Sequence, residues 1–384
     1  MFKPASTSPV ALRRAIGALI FSVITLSVIG LVMLYSVCKV DVANAVLSRQ
    51  VVALVIGMLM AALIVMGDYS WLKRLAWPAY LVAFVLLGVV FFFPMVKGAH
   101  RWINLGGARF QPSEFAKLAL ILALAGYCAN AGGALRKFTR GILLPAGIIG
   151  AICGPIFLEP DWGTTLITGM ACVVMLLVAG ARIHYVLAPA LLLAAGLALA
   201  LYHNPLRSDR IYSWLHLEET REDIGYQAYQ ARVALASGGL WGVGFDRSIQ
   251  RPFIPEVEND FIFSVIGEEF GFAGSLTLVF LFGLILGAGV TIALHAPDRF
   301  GMLAATGITF LLVGQALCNL AVVSSLLPNK GLTLPFISKG GSSLMMAMVF
   351  VGVLMRIARA SEEGSGCRQQ PLNLFDELPL TKTA

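Results

Sequence analysis

The sequence predicts an all-α, polytopic membrane protein of about ten transmembrane helices, and three observations lead to this prediction. Of the 384 residues, 58% are hydrophobic and only 13% are charged. Average soluble domains carry about 25% charged residues, so this chain has too few charged residues to cover the surface of a soluble protein of its size. The hydrophobic residues also fall into runs of roughly 17–25, the length of a transmembrane helix. A soluble enzyme, a secreted module and a disordered chain are therefore excluded.

Ten segments have the length and composition of a span. They lie at about 15–37, 50–67, 75–94, 113–130, 141–157, 163–180, 183–202, 261–293, 299–326 and 341–358. The first is longer than the roughly 7–15 residues of a signal-peptide core, so we expect an uncleaved helix. The predicted organisation is an N-terminal segment 1–14, a ten-helix domain 15–359 and a polar tail 360–384.

Lysines and arginines predict the orientation, because they concentrate in short cytoplasmic loops. Basic residues precede the first span and follow the second, fourth and sixth spans: Lys3, Arg13, Arg14, Lys73, Arg74, Arg136, Lys137, Arg140 and Arg182. Both termini are therefore expected in the cytoplasm, with long outer loops at about 95–112, 203–260 and 327–340. The net charge of +7 lies in these clusters rather than in a continuous stripe, so nucleic acid is not an expected partner.

The third outer loop contains a short apolar stretch, Leu332 to Ser338, between glycines. Seven residues cannot span a bilayer, yet this stretch is too apolar for water, which favours a re-entrant segment lining a cavity before the tenth span. The next helix begins near Gly341, and its free N–H groups predict an anion site. Lys330 and Lys339 lie close to this site in sequence. The candidate substrate-binding residues of the segment are Lys330, Ser338, Gly340, Gly341, Ser342 and Ser343. A tight external turn with a glycine hinge is the alternative.

Charged residues also begin the fourth span. Pro112 suits the first helical position, which places Glu114 in the first turn and Lys117 on the same face, where the two can pair. Charges inside a span usually face a cavity. Just upstream, Arg101 suits contact with a phosphate and Trp102 suits stacking on a sugar, although an interfacial belt tryptophan is the plainer interpretation of Trp102.

Acidic residues mark the start of the eighth span. Asp260 is the last acid before an apolar run, which makes it a rim carboxylate and a candidate general base among the nine acids of loop 203–260. Glu268 is about 80° further round the helix and roughly 12 Å deeper, so the two are placed to share one cavity without touching. Glu159 and Asp161, between spans five and six, predict a capped turn or a further substrate contact.

Five stretches together resemble the SEDS family of polytopic peptidoglycan polymerases, whose members are FtsW, RodA and SpoVE. They are RWINLGGARFQPSEFAKLA (101–119), EPDWGTTL (159–166), YQAYQARVALASGGLWGVGF (226–245), PEVENDFIFSVIGEEFGFAG (255–274) and LPNKGLTLPFISKGGSSL (327–344). Their order and spacing cover nearly the whole chain between the first and last spans. The stretch GLTLPFIS looks more like the division branch, FtsW, than the elongation branch, RodA, which tends to have proline at the position of Thr333.

The resemblance implies a glycosyltransferase that polymerises lipid II for septal cell-wall synthesis. It also implies a multi-pass protein of the bacterial inner membrane at the division septum, surrounded by membrane lipid. A class B penicillin-binding protein of the FtsI type and other division proteins are the implied partners. The family's essential aspartate falls on Asp260, its functional tryptophan on Trp102, and the acid of the following helix on Glu268. Its QPSE-x-x-K glutamate and lysine fall on Glu114 and Lys117.

The sequence departs from the family pattern in two places. Glu258 and Asn259 replace the usual His-Thr before the aspartate, and Lys339 stands where tyrosine is typical. The first departure changes the surroundings of the candidate base, and the second adds a cation beside the predicted anion site.

The implied reaction joins two lipid-linked disaccharides, with Asp260 as general base on the acceptor 4-hydroxyl and undecaprenyl pyrophosphate as leaving group. Arg101, Lys117, Lys330 and the 340–343 turn are the candidates to neutralise the leaving charge. A divalent cation, Mg²⁺ or Mn²⁺, is the cofactor to consider, although the sequence does not reveal its ligands. A lipid II flippase, an elongation-type polymerase and a catalytically silent scaffold remain alternatives. A transporter needs its ionisable groups near the bilayer midplane, whereas the acids here are predicted at the outer rim.

Overall fold

A computed structural model describes residues 9–38, 40–95, 99–105, 108–183, 205–329 and 331–368. Nearly all of the predicted seventh span, the candidate Lys330 and most of the tail lie outside the described residues. Within them the chain forms eleven α-helices and one two-stranded hairpin. The helices are α1 (Pro9–Val37), α2 (Val40–Met66), α3 (Tyr69–Val89), α4 (Pro112–Ala131), α5 (Leu144–Leu158), α6 (Trp162–Val178), α7 (Pro205–Leu215), α8 (Tyr226–Ser237), α9 (Ile262–Leu294), α10 (Arg299–Val323) and α11 (Gly341–Arg368).

Eight of these helices are long and apolar enough to cross a membrane, and α6 is a shorter apolar helix. Together they correspond to every predicted span except the seventh, which confirms a multi-pass membrane protein. The all-α prediction has one exception, a hairpin of β1 (Ile103–Leu105) and β2 (Ala108–Phe110) in the first predicted outer loop. The strands are antiparallel, with Asn104 opposite Arg109.

Two helices extend about ten residues beyond the ends that the hydropathy pattern predicts. Helix α2 begins at Val40 rather than 50, and α11 continues to Arg368 rather than 358. Polar residues at these ends interrupt the apolar runs in the sequence, but the helices continue through them. In α11 Arg356 pairs with Glu363, two helical turns later on the same face, with Nη1 2.9 Å from Oε1. Small residues let α2 and α11 pack closely, since a Cβ on Gly352 would lie 2.7 Å from the Cα of Ala61.

Helix α9 is interrupted at Gly271, where φ is 66° and ψ is −160°. Loop 238–244 fills the interruption with its own backbone. The N–H groups of Val243 and Gly244 donate to the carbonyls of Glu268 and Glu269, at 3.0 and 3.1 Å. In return, the N–H groups released by the break donate to carbonyls of the loop. Irregular backbone within a membrane helix is tolerated because the protein satisfies its polar groups in this way.

The Gly242→Ala variant should lose stability because this junction has no room for a side chain. Gly242 has φ +84°, and a Cβ there would lie 2.1 Å from the carbonyl oxygen of Glu269. We expect a cost of more than about 1 kcal/mol, seen as a lower Tm in detergent. Gly283→Ala in the same helix is the matched control, since no atom of the residues that the structure describes lies within 4 Å of its Cβ position. Equal Tm values for the two variants would contradict the close packing.

Candidate functional site

Asp260 ends the long loop that precedes α9 and is half-buried. Its backbone carbonyl accepts a hydrogen bond of 2.7 Å from the Asn319 amide of α10. Its carboxylate lies against the beginning of the predicted re-entrant segment, because Oδ2 is 3.2 Å from the position that a Cβ would take on Gly331. Gly331 is exposed and has φ +63°. The candidate base therefore sits at a surface, beside a backbone that a side chain would crowd.

The segment after Gly331 is non-helical and its apolar side chains are buried, as predicted for a re-entrant segment. Leu334 is 1% exposed and Ile337 is fully buried. The segment folds back through a turn in which the Leu334 N–H donates to Ser338 Oγ at 2.8 Å. Ser338, predicted to bind substrate, thus uses its hydroxyl oxygen to close this turn.

Three buried amide side chains hold the re-entrant backbone. The Asn319 amide donates to the Leu332 carbonyl at 2.6 Å, and the Gln315 amide donates to the Thr333 carbonyl at 2.9 Å. Gln50 of α2 donates to the Ser338 carbonyl at 3.1 Å and accepts from the Gly340 N–H at 3.3 Å. Polar backbone at membrane depth requires such partners.

Helix α11 begins directly after this segment, at Gly341. Ser342 donates from its hydroxyl to the Arg109 carbonyl of the hairpin at 2.8 Å, and the Ser343 hydroxyl lies 3.4 Å from that of Thr333. Gly341 is exposed and Ser343 is half-buried, so the first turn of α11 opens to the surface. Because first-turn N–H groups have no partner within a helix, this end keeps the electrostatic character of the predicted anion site.

Glu114 and Lys117 form the ion pair predicted from their spacing on α4. The Lys117 ammonium lies 2.9 Å from both carboxylate oxygens and 3.1 Å from Gln315 Oε1. Lys117 is 1% exposed and Glu114 is 6% exposed. In this geometry Lys117 has no surface from which to reach a phosphate. It connects α4, through Gln315, to the backbone of the re-entrant segment at Thr333.

Arg101 ties the hairpin to the turn between α5 and α6. Its Nε donates to the Glu159 carbonyl at 2.9 Å, and its guanidinium also donates to the Pro160 carbonyl. The predicted capped turn is present, because Asp161 accepts from the Thr164 N–H at 3.2 Å at the start of α6. Trp102 follows Arg101 and is half-exposed, so it stays available to stack on a ligand.

Glu159, in the same turn and outside the spanning helices, has a buried carboxyl group that finds no hydrogen-bond partner within the described part of the chain. Burial raises its pKa to about 8; Asp161 adds to this shift and Arg101 opposes it. Between the normal pKa and about 8 the folded protein holds a proton that the unfolded chain releases. Stability should therefore fall as pH rises through this window, by at most about 1.4 kcal/mol per pH unit.

The Glu159→Gln variant should abolish that pH dependence, since its amide does not titrate. The difference between the Tm of the variant and that of the wild type should therefore increase progressively from pH 5 to pH 8. The measurement is thermal unfolding in detergent across this range. A constant Tm difference over the whole range would mean that Glu159 is ionised in the folded protein.

Glu268 contacts a loop rather than an open groove. It is fully buried, and its carboxylate accepts from the Ser248 hydroxyl and from the N–H of Ile249, the latter at 2.9 Å. A third donor is the N–H of Gln250, at 3.2 Å. The described contacts give Glu268 the role of anchoring loop 248–250 to α9, and a substrate contact for it stays a prediction.

Several residues of this site were not singled out by the sequence. Gln50, Gln315 and Asn319 are the amides that hold the re-entrant backbone, and Gln111 contacts Asp161, with Nε2 3.4 Å from Oδ2. The available signal was a polar side chain within an apolar span, which usually faces the protein interior and has a partner there. Gln315 and Asn319 fit that rule, whereas Gln50 stood at a predicted helix end.

Comparison with known proteins adds a second line of evidence. The family model of the FtsW, RodA and SpoVE cell cycle proteins matches residues 17–363. The chain belongs to this family. Members similar to it include the probable peptidoglycan glycosyltransferase FtsW of Trichlorobacter lovleyi, 35% identical over 88% of this chain and 92% of the relative. Stage V sporulation protein E of Bacillus subtilis is 36% identical over 89% and 96%.

Solved structures agree with the family's fold. A chain from a peptidoglycan synthase complex, studied for the coordination of polymerization and crosslinking, superposes with a TM-score of 0.78 at 31% identity, covering 89% of this chain and 97% of that one. The rod shape determining protein RodA of Thermus thermophilus superposes with a TM-score of 0.67 at 30% identity, covering 89% and 96%. The family's helical membrane fold is therefore shared over most of the chain.

The two departures from the family pattern contact each other. The Lys339 N–H donates to the Glu258 carbonyl at 2.9 Å, and the Lys339 ammonium lies 3.3 Å from the Glu258 carboxylate. Both side chains are partly exposed. This contact joins the loop two residues before Asp260 to the end of the re-entrant segment, so one altered residue of each place pairs with one of the other.

This pair should show a modest coupling energy, because exposed ion pairs contribute about 0.2–1 kcal/mol. A double-mutant cycle of Glu258→Gln and Lys339→Met, read by Tm, should give coupling of that size, decreasing with added salt. Strictly additive effects of the two substitutions would show that the side chains do not interact.

Among the described residues, no group of three or more His, Cys, Asp or Glu side chains is arranged to hold a metal ion. A protein-held Mg²⁺ or Mn²⁺ thus stays a prediction. The charge of the leaving group is the chemical reason to expect such an ion.

Proposed function

We propose that this FtsW-type peptidoglycan glycosyltransferase polymerises lipid II, with Asp260 as the general base. The observation that carries the proposal is the position of Asp260. Its half-buried carboxylate lies beside the exposed Gly331, and the segment that starts there leads to the N-terminus of α11. A carboxylate and a helix N-terminus at the two ends of one short segment supply the two functions that glycosyl transfer needs, a proton acceptor and a site for a departing anion.

In the proposed reaction the 4-hydroxyl oxygen of the acceptor N-acetylglucosamine attacks C1 of the donor N-acetylmuramic acid. The bond from C1 to the pyrophosphate oxygen breaks, and its electron pair leaves with undecaprenyl pyrophosphate. Asp260 takes the hydroxyl proton as the new bond forms. A single base acting on the acceptor favours inversion at C1, by analogy with inverting glycosidases.

The leaving pyrophosphate is proposed to lie at the first turn of α11. Exposed Gly341 and half-buried Ser343 leave that turn accessible, and helix N-termini favour anions. Lys330, outside the described residues, remains a candidate cation. Arg101 already donates to two carbonyls, which suits it to position the hairpin so that Trp102 meets a sugar.

The membrane topology and partners follow from the same proposal. Lipid-linked disaccharides are polymerised on the outer face, so the end that carries Asp260 faces outward and both termini lie in the cytoplasm. The relative solved within a peptidoglycan synthase complex supports a crosslinking partner, proposed here as a class B penicillin-binding protein of the FtsI type. The relatives of this chain that are named FtsW support its proposed location at the septum, together with other division proteins.

The test uses the purified protein with and without its penicillin-binding partner, incubated with labelled lipid II and separated on a gel. A ladder of glycan strands is the expected result. Absence of a ladder under every partner and cation condition, together with lipid II transfer across proteoliposomes, would instead establish the flippase.

A further inference from the structure

A cavity lies next to the segment that leads into the re-entrant turn, because Asn329 contributes to its lining. Its volume is about 240 Å³, and it lies between α7, α8 and the end of α10. Its lining includes Arg210, Trp214, Gln227, Val322, Ser325 and Asn329. Pockets for drug-sized ligands start at about 300 Å³, so this cavity suits one small ring rather than a whole disaccharide with its peptide.

The chemistry of the lining matches a sugar ring. Trp214 is held in place by a hydrogen bond of 2.8 Å from its Nε1 to the Ser325 carbonyl, which leaves a fixed aromatic wall. Gln227 donates to the Pro255 carbonyl and accepts from Asn329 at 3.5 Å, and both amides keep a further donor or acceptor position for a ligand. Arg210 adds an exposed cation. Apolar walls with a few oriented polar groups are typical of small-molecule sites.

Ser325 provides an independent indication of a ligand. Its hydroxyl is buried and has no hydrogen-bond partner among the described residues. The residue also adopts φ +61°, which is unusual for a residue with a side chain. A buried hydroxyl without a partner destabilises the protein, so it calls for an explanation. Ser325 lines the cavity, and rotation about its χ1 would turn the hydroxyl toward a hydroxyl or acetamido group of a bound sugar.

The position of the cavity connects it to the proposed reaction. Asn329 Oδ1 accepts from the Gly331 N–H at 3.2 Å, and Gly331 lies against the Asp260 carboxylate. On α10, Val322 is three residues, about 4.5 Å, beyond Asn319, which binds the Asp260 backbone. The cavity and the candidate base therefore share one short segment of chain.

We propose that this cavity binds one N-acetylated sugar ring of the glycan substrate, next to the ring that reacts at Asp260. The proposal rests on the proposed function. By holding a neighbouring ring, the cavity would orient the strand toward the base, and Asn329 would couple its occupancy to the position of Gly331.

The test measures binding without turnover. Protein carrying Asp260→Asn is titrated by calorimetry with a lipid-free tetrasaccharide of alternating N-acetylglucosamine and N-acetylmuramic acid. Adding Ser325→Ala or Arg210→Ala should weaken binding by about three- to tenfold, the worth of one hydrogen bond. Ser324→Ala is the matched control, because the Ser324 hydroxyl donates to the Leu320 carbonyl at 2.8 Å and does not line the cavity.

Ser325→Ala also separates binding from folding. Removing an unpartnered hydroxyl should leave Tm unchanged or raise it, so weaker binding by a protein of undiminished Tm supports the proposal. Saturable binding that is equally tight in all variants, or no saturable binding to the parent protein, would overturn it. Failure of Asp260 as the base would appear separately, as turnover by Asp260→Asn protein, and would not change the binding result.

Discussion

Replacing Asp260 by asparagine is expected to slow glycan polymerisation by about 10²- to 10⁴-fold, the usual contribution of a general base. Asparagine has nearly the same shape but cannot take a proton from the acceptor hydroxyl. The fold should survive, because Asn319 binds the backbone carbonyl of Asp260, which the substitution leaves in place. Initial rates from labelled lipid II, with the penicillin-binding partner present, measure the effect.

Asp246→Asn is the matched control for this experiment. Asp246 belongs to the same long loop and pairs with the Arg251 guanidinium at 2.7 Å, but its side chain is 56% exposed and has no described contact with the re-entrant segment. Its loss should leave the rate close to that of the wild type, since exposed ion pairs contribute little. Equal losses in both variants would indicate a general effect of loop charge rather than proton transfer by Asp260.

Lys117→Met should be the most destabilising of the substitutions considered. It leaves the Glu114 carboxylate buried without its cation, and breaking a buried pair from one side costs about 3–5 kcal/mol. It also removes the donor to Gln315, whose amide holds the Thr333 carbonyl. We expect a large fall in Tm and a fall in polymerisation, because the segment beside Asp260 loses its support.

The double variant Glu114→Gln/Lys117→Met distinguishes the unpaired charge from the lost contact. Without the buried carboxylate, most of the lost stability should return, since replacing both partners of a buried pair is often nearly neutral. Thermal unfolding in detergent compares the two variants. Equal Tm values for single and double variants would contradict the assignment of the cost to the unpaired Glu114.

The helical membrane fold could be predicted because its cause is local. Apolar runs as long as a bilayer is thick produce helices wherever they occur, and the spacing of Glu114 and Lys117 on one helix face fixes their pairing. The helix ends were less predictable: Val40 begins α2 well before its apolar run, because helices extend beyond the hydrocarbon when they have packing partners. Likewise, polar residues after 358 do not end α11.

The support of the site depends on contacts between distant parts of the chain, which no local pattern encodes. Gln50 contacts Ser338, 288 residues away in sequence, and Lys339 contacts Glu258, 81 residues away. The interruption of α9 at Gly271 likewise depends on loop 238–244, whose backbone bonds to the groups that the break releases. Glu268 illustrates the same limit, because helical geometry placed it on α9 without revealing that loop 248–250 binds its carboxylate.

The most direct test of Asp260 as the base separates binding from bond formation. Wild-type and Asp260→Asn proteins are titrated with fluorescent lipid II, and the bound substrate is then followed through a single turnover. We predict similar affinities, with bond formation slowed by about 10²-fold or more only in the variant. Bond formation at the wild-type rate in Asp260→Asn protein would contradict the central claim.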